Sequence, residues 1–128
     1  MAQILIVDDE HMIVDMLSTF LRLLGHDTVD AYSSRQAKDR LAYLEPDAVL
    51  LDIMLPDTNG IDLCRELKGE PSTAKLPIIM ISAHAPPMIK EANEAGANGY
   101  LPKPINLQAL RGALANVGIS DTRSKTGS

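Results

Sequence analysis

Ile4-Leu5-Ile6-Val7-Asp8-Asp9 is a short, mostly β-branched apolar run that stops on two carboxylates. It is continuously apolar rather than alternating, the pattern of a strand covered on both faces in a parallel sheet. Two further runs repeat it. Ala48-Val49-Leu50-Leu51 stops on Asp52, and Ile78-Ile79-Met80-Ile81 stops on Ser82. Thr28-Val29 and Gly99-Tyr100-Leu101 read as two weaker, edge-like strands.

Helical patterns fill the gaps. Ile13, Leu17, Phe20 and Leu24 keep the 3.6-residue period, and Gly25 follows where a helix-ending glycine belongs. Ser33 is placed to cap a helix carrying Ala37, Leu41 and Leu44. Thr58 or Asn59 opens one with Ile61, Cys64 and Leu67; Pro86 and Pro87 start another that ends before Gly96; Asn106 caps the last, with Leu107, Leu110, Leu114 and Val117. Strands alternating with helices predict an α/β fold on a parallel sheet, and right-handed crossovers make the doubly wound arrangement the foremost topology.

The chain has 128 residues, which suits one domain. Residues 1–118 are expected to form it, and the polar stretch 119–128 reads as a flexible tail or the start of a linker. Acids outnumber bases 17 to 12, for a net charge of −5, so the basic footprint of a nucleic-acid binder is missing. Aromatic residues make up 3 %, with no Trp, which argues against a stacking platform for single strands. One cysteine supports neither a disulfide framework nor a zinc cluster. With no secretory leader pattern and no apolar segment of membrane-spanning length, a cytoplasmic protein is expected. Cys64, Met12 and Met16 read as core residues, and His11 and His26 as solvent-facing.

In an open α/β sheet the ligand sits beyond the carboxyl ends of the strands, where the strand order reverses. For five strands in the order 2-1-3-4-5 that point lies between strands 1 and 3, so Asp8, Asp9 and Asp52 should converge. Ser82 and Lys103 end the neighbouring strands. Clustered carboxylates remain ionised only beside a cation, and the natural one is Mg²⁺, with Mn²⁺ able to substitute. A carboxylate nucleophile, a hard cation, a hydroxyl and an ammonium form a phosphoryl-transfer site. Taken alone, Asp8 and Asp9 would serve equally well as caps of the first helix.

Four pieces in order carry a resemblance to a known family: Ile-Leu-Ile-Val-Asp8-Asp9-Glu10, Leu-Leu-Asp52-Ile-Met-Leu-Pro56, Ile-Ile-Met-Ile-Ser82-Ala83 and Gly99-Tyr100-Leu101-Pro102-Lys103-Pro104. Over about residues 3–117 the chain resembles the response-regulator receiver domains of two-component signalling, chemotaxis receivers among them. The resemblance implies a flavodoxin-like fold with helices on both faces. It implies that Asp52 is the phosphoacceptor, and that Asp8, Asp9, Asp52 and the Met54 backbone carbonyl hold Mg²⁺. It makes Lys103 and Ser82 the contacts of the phosphoryl oxygens, Ala83 a small residue that leaves the group accessible, and Tyr100 the switch aromatic. Lys103-Pro104 would be a cis peptide, and Met54 and His84 occupy positions that tune dephosphorylation.

The implied activity is a signalling receiver rather than an enzyme acting on other molecules. A histidine kinase or phosphotransfer protein would supply the phosphoryl group. The residue 87–117 face would then change its preference for an output partner. Neither direct nucleic-acid binding nor a membrane is expected, and the chain would be a monomer or a phosphorylation-dependent homodimer. It would act alone or as the receiver piece of a longer regulator or hybrid kinase. A phosphatase of the haloacid-dehalogenase type needs a general acid two residues after the nucleophile, where this chain has Met54. A flavin or nucleotide binder needs a phosphate cradle after strand 1, where this chain has Asp-Asp-Glu-His-Met.

Overall fold

A computed structural model describes residues 2–121. Along them run β1 (Gln3–Val7), α1 (His11–Leu23), β2 (Asp27–Ala31), α2 (Ser34–Leu41), β3 (Ala48–Asp52), α3 (Gly60–Gly69), β4 (Ile78–Ser82), α4 (Ile89–Glu94), β5 (Gly99–Pro102) and α5 (Leu107–Asn116). The five strands form one parallel sheet in the order β2-β1-β3-β4-β5. This is the doubly wound, flavodoxin-like arrangement. Among the described residues, no helix is long and apolar enough to cross a membrane.

The inner strands explain the unbroken apolar runs. Leu5, Val7, Val49, Leu51, Ile78 and Met80 face one side, where Ala37 of α2, Cys64 and Leu67 of α3 and Ala92 of α4 cover them. Ile4, Ile6, Leu50, Ile79 and Ile81 face the other, under Val14, Leu17 and Leu21 of α1 and Leu110 and Leu114 of α5. Both strand faces are therefore dry. Burying each such aliphatic side chain contributes about 1.5–3 kcal/mol, and that term holds the layers together.

Register fixes where the acids end up. Val7 lies opposite Leu51, so the next residues, Asp8 and Asp52, emerge side by side at the point where the strand order reverses. Ser82 lies opposite Pro102, which sets Lys103 beside them. Ser33 caps α2 by accepting from the Gln36 amide, Asn59 caps α3 through Ile61, and Asn106 caps α5 through Ala109.

Several expectations give way to packing. α2 ends at Leu41, so Leu44 lies in the turn beyond it. α4 starts at Ile89 rather than at the proline pair. A residue before proline is pushed out of the helical region, which removes Pro86, and Met88 spends its N–H on the Tyr100 hydroxyl at 3.0 Å. Met12 is 85 % exposed, because the turn that buries Val14 and Leu17 leaves it on the outer face of α1. Met16 is partly buried against the core, and Cys64 is fully buried.

His26 is buried, not solvent-facing. Gly25, at φ 90°, turns the chain back so that the His26 amide donates to the Leu21 carbonyl. The ring is folded under the chain start, where Nδ1 accepts from the Ala2 amide at 3.3 Å. Burial lowers the imidazole pKa below its usual value, against the opposing pull of Asp121. His11 is exposed, and its ring stacks on Tyr32 with centroids 4.2 Å apart.

The beginning of the expected polar tail is packed. Gly118, at φ 87°, closes α5 and lets the Ile119 amide reach the Leu114 carbonyl. Ile119 then packs on the α1–α5 core, and Asp121 pairs with Arg111 at 2.8 Å. The remainder of that stretch, 122–128, lies outside the described residues.

Candidate functional site

Four strand ends build the site. Asp8 follows β1, Asp52 ends β3, Ser82 ends β4, and Lys103 follows β5. Asp8, Asp52 and Ser82 are each at most 3 % exposed, unusual for polar residues and affordable only among partners. The Lys103 ammonium supplies the central one. It stands 2.8 Å from Asp8 Oδ2, 3.2 Å from Glu10 Oε1 and 3.6 Å from Asp52 Oδ2. Its backbone is pinned too, because the Lys103 amide donates to the Ser82 carbonyl at 2.7 Å.

Asp8 also shapes the loop. Its Oδ1 accepts from the Glu10 amide at 2.9 Å and turns the chain toward α1, whose N-cap Glu10 makes no side-chain cap of its own. Asp8 Oδ2 meets the ammonium as a charge, without an aligned hydrogen bond. One ammonium therefore faces three carboxylates. Asp8, Glu10 and Asp52 each offer an oxygen, and these oxygens lie within 4.8 Å of one another. Such hard, crowded donors, one with an unsatisfied buried oxygen, fit a small divalent cation.

Electrostatics gives the same account. Burial pushes the Asp52 carboxyl up to about 6, the nearby Asp8 charge pushes in the same direction, and Lys103 and the Met54 backbone N–H oppose them. For Lys103, burial pulls the ammonium down, but Asp8, Asp52 and Glu10 outweigh it and the net shift is upward. The lysine is charged at every physiological pH.

The remaining candidates surround this cluster. Asp9 is exposed and lies outside the three-acid group; it lines an adjoining open groove with Met54 and Asn59. Ser82 Oγ accepts from the His84 amide at 2.9 Å, and His84 Nδ1 lies 2.9 Å from the Pro86 carbonyl. Ala83 and His84 are exposed. Tyr100 is half-buried, with its hydroxyl on the Met88 amide. The Lys103–Pro104 peptide is cis, as is Ala85–Pro86.

Three residues that sequence reasoning left without a role belong to the architecture of the site. Glu10 is the third acid of the cluster, and the unbroken Asp8-Asp9-Glu10 run was the available signal. Asp57 ties the loop after β3 to α2. Gly60, signalled by the Asn59-Gly60 pair, lets that loop fold back on β3: its amide donates to the Ile53 carbonyl at 2.6 Å. A Cβ there would run into the Asp52 carbonyl oxygen and lie 2.9 Å from the Ile53 Cα. Because both obstacles are backbone, Gly60→Ala is expected to cost about 3 kcal/mol in urea unfolding. A loss under about 0.5 kcal/mol would show that the loop can shift freely.

The family profile described as response regulator receiver domain matches residues 4–115. The chain belongs to this family. Among curated relatives of this receiver, the phosphate regulon transcriptional regulatory protein PhoB of Pseudomonas aeruginosa is 36 % identical over 126 residues, covering 94 % of this chain and 55 % of its own. The chain spans about half the length of the curated relatives it matches. The chemotaxis response regulator CheY4 of Vibrio cholerae superposes with a TM-score of 0.84 at 28 % identity, covering 91 % of the receiver and 98 % of CheY4. The receiver domain of the sensor histidine kinase PA1611 of Pseudomonas aeruginosa, solved with a magnesium ion coordinated in its active-site cleft, gives 0.82 at 29 %, covering 92 % and 98 %.

Proposed function

We propose that this receiver takes a phosphoryl group onto Asp52 from a phosphohistidine of a histidine kinase or phosphotransfer protein, with Mg²⁺ as cofactor. The observation that carries the reading is the buried meeting of Asp8, Asp52 and Lys103 at the reversal of strand order. Asp8, Asp52 and Glu10 would hold the cation, with Asp9 and the Met54 carbonyl bordering it from the groove. When bound, the cation offsets the crowded negative charge and supplies Lewis acidity toward phosphoryl oxygens.

The chain's own groups do the rest. An Asp52 carboxylate oxygen attacks phosphorus, the Asp52 O–P bond forms, and the donor P–N bond breaks. Its electron pair stays on the histidine nitrogen, which is protonated from water. Lys103, already held within 3.6 Å of Asp52, is placed to meet a phosphoryl oxygen. Ser82 supplies a hydroxyl to another, giving up its contact with the His84 amide, and Ala83 leaves the approach open. If Ser82 moves, the segment between it and α4 moves with it. The Tyr100–Met88 hydrogen bond lies in that segment's path, which makes the residue 87–117 face the output surface. An output partner on another chain, or a further domain of a longer regulator, would read that face equally.

The test is intact mass after incubation with acetyl phosphate. A single phosphoryl adduct is expected with Mg²⁺, and none when the metal is removed by EDTA. An adduct of equal yield in EDTA would overturn the metal-dependent mechanism.

A further inference from the structure

The loop between β3 and α3 carries Met54 into the groove beside the site, and beyond Leu55, which packs partly buried against the core, nothing apolar anchors its tip. Met54, Pro56, Asp57 and Asn59 are all exposed, and at the base only Ile53 and Gly60 are buried. A bridge between Met54 and Asn59 closes the loop on itself. Leu55 holds the near side of the loop to the core, and the polar tie between its tip and α2 is one carboxylate. Asp57 Oδ1 accepts from the Ser34 amide at 2.9 Å, and Oδ2 accepts from the Ser34 hydroxyl at 2.7 Å and the Arg35 amide at 3.1 Å.

Those donors are the first turn of α2, where free N–H groups and the helix dipole favour an anion. α2 already has its own cap in Ser33, so Asp57 is not needed to start the helix. Hydrogen bonds from Ser34 hold the Asp57 carboxyl below the usual carboxylate range, so the clasp is fully charged at neutral pH. Ser34 itself is buried and cannot follow the loop outward. The contact spans 23 residues of sequence and joins two separate crossovers at the carboxyl edge of the sheet.

We propose that Asp57 is a positioning residue for the phosphoryl-transfer site: by clasping the N-terminus of α2 it fixes the β3–α3 loop, and with it the Met54 backbone beside Asp52. The proposal rests on the metal-dependent phosphoryl transfer proposed for Asp52. Without the clasp, Leu55 and the Met54–Asn59 bridge still hold the loop, but the groove wall is fixed less firmly and the backbone groups that complete the cation site are less well pre-arranged. Partners that orient metal ligands typically matter by about 10- to 100-fold in affinity, and a single exposed clasp belongs at the lower end. The effect should fall on cation binding rather than on the nucleophile, which stays buried in β3.

The experiment compares wild type, Asp57→Ala, Asp57→Asn and Ser34→Ala. Mg²⁺ binding is read by calorimetry, and phosphoryl uptake from acetyl phosphate is read across a Mg²⁺ series. For Asp57→Ala the Mg²⁺ dissociation constant is expected to rise about tenfold. The uptake rate should fall by the same factor at low Mg²⁺ and return to near wild type at saturation. Asp57→Asn, which keeps one oxygen for the Ser34 amide, should recover part of the loss. Ser34→Ala removes one bond from the opposite side and should show about a two- to threefold loss, carrying the test if Asp57→Ala fails to fold. Unchanged Mg²⁺ affinity in a folded Asp57 variant, or in Ser34→Ala where that is the one that folds, overturns the proposal. Wild type that neither binds Mg²⁺ nor takes up phosphoryl would instead overturn the underlying function.

Discussion

Lys103→Met is expected to lower the stability of the metal-free protein by about 3–5 kcal/mol at pH 7. The methionine keeps the length of the stem but removes the cation facing Asp8, Asp52 and Glu10. Asp8 is fully buried, and among the described residues its Oδ2 has no hydrogen-bond partner. Removing one member of a buried pair leaves the other as an uncompensated charge, which costs more than the pair was worth. For a chain of this size the melting temperature should fall by about 10–20 °C. Mg²⁺ should restore a large part of that loss, because a cation bound only by the folded state stabilises it by mass action. A Lys103→Met protein that melts within a few degrees of wild type, with or without Mg²⁺, would mean that the acids are not charged together in the resting site.

Asp52→Asn should do the opposite, and its effect should depend on pH. The Asp52 carboxyl is pushed from its ordinary 3.8 up to about 6 by burial and by Asp8. A group that holds its proton more tightly when folded stabilises the fold below the unfolded pKa, near 4, and that contribution is lost as pH rises through 6. At pH 7 the ionised carboxylate therefore works against folding. Two units correspond to at most about 3 kcal/mol, and relaxation of the site brings the expectation to about 1–3 kcal/mol. Asp52→Asn should thus be more stable than metal-free wild type at pH 7, and the gap should close by about pH 4. Lys103, with its pKa raised, stays charged throughout and contributes nothing to the slope. Protons and Mg²⁺ compete for the same oxygens, so Mg²⁺ affinity should weaken below pH 6. Parallel stability curves for the two proteins from pH 4 to 7 would contradict this account.

The sequence showed most clearly what local physics decides. Unbroken apolar runs mark strands dry on both faces, and those runs stopped at Asp8, Asp52 and Ser82 because the sheet stops there. Ser33, Asn59 and Asn106 were legible as caps because a cap answers to donors two or three residues away. Contacts made across the chain were not legible. Glu10 meets Lys103 over 93 residues, and Asp57 meets Ser34 over 23. No periodicity encodes either pairing. His26 departs from its sequence expectation for a related reason: a histidine after a turn glycine is ordinarily wet, and the chain start folding over it, with the Ala2 amide donating to its ring, makes it a buried acceptor. The late start of α4 reflects a competition that sequence does not reveal, in which Tyr100 claims the Met88 amide.

The central claim is that Asp52 is the residue that takes up phosphate. Wild type and Asp52→Asn, each incubated with acetyl phosphate and Mg²⁺ and then weighed intact, test it most directly. The structure predicts one phosphoryl adduct on wild type and none on a folded Asp52→Asn. Equal uptake by Asp52→Asn would contradict it, and would move the chemistry away from the carboxyl end of β3.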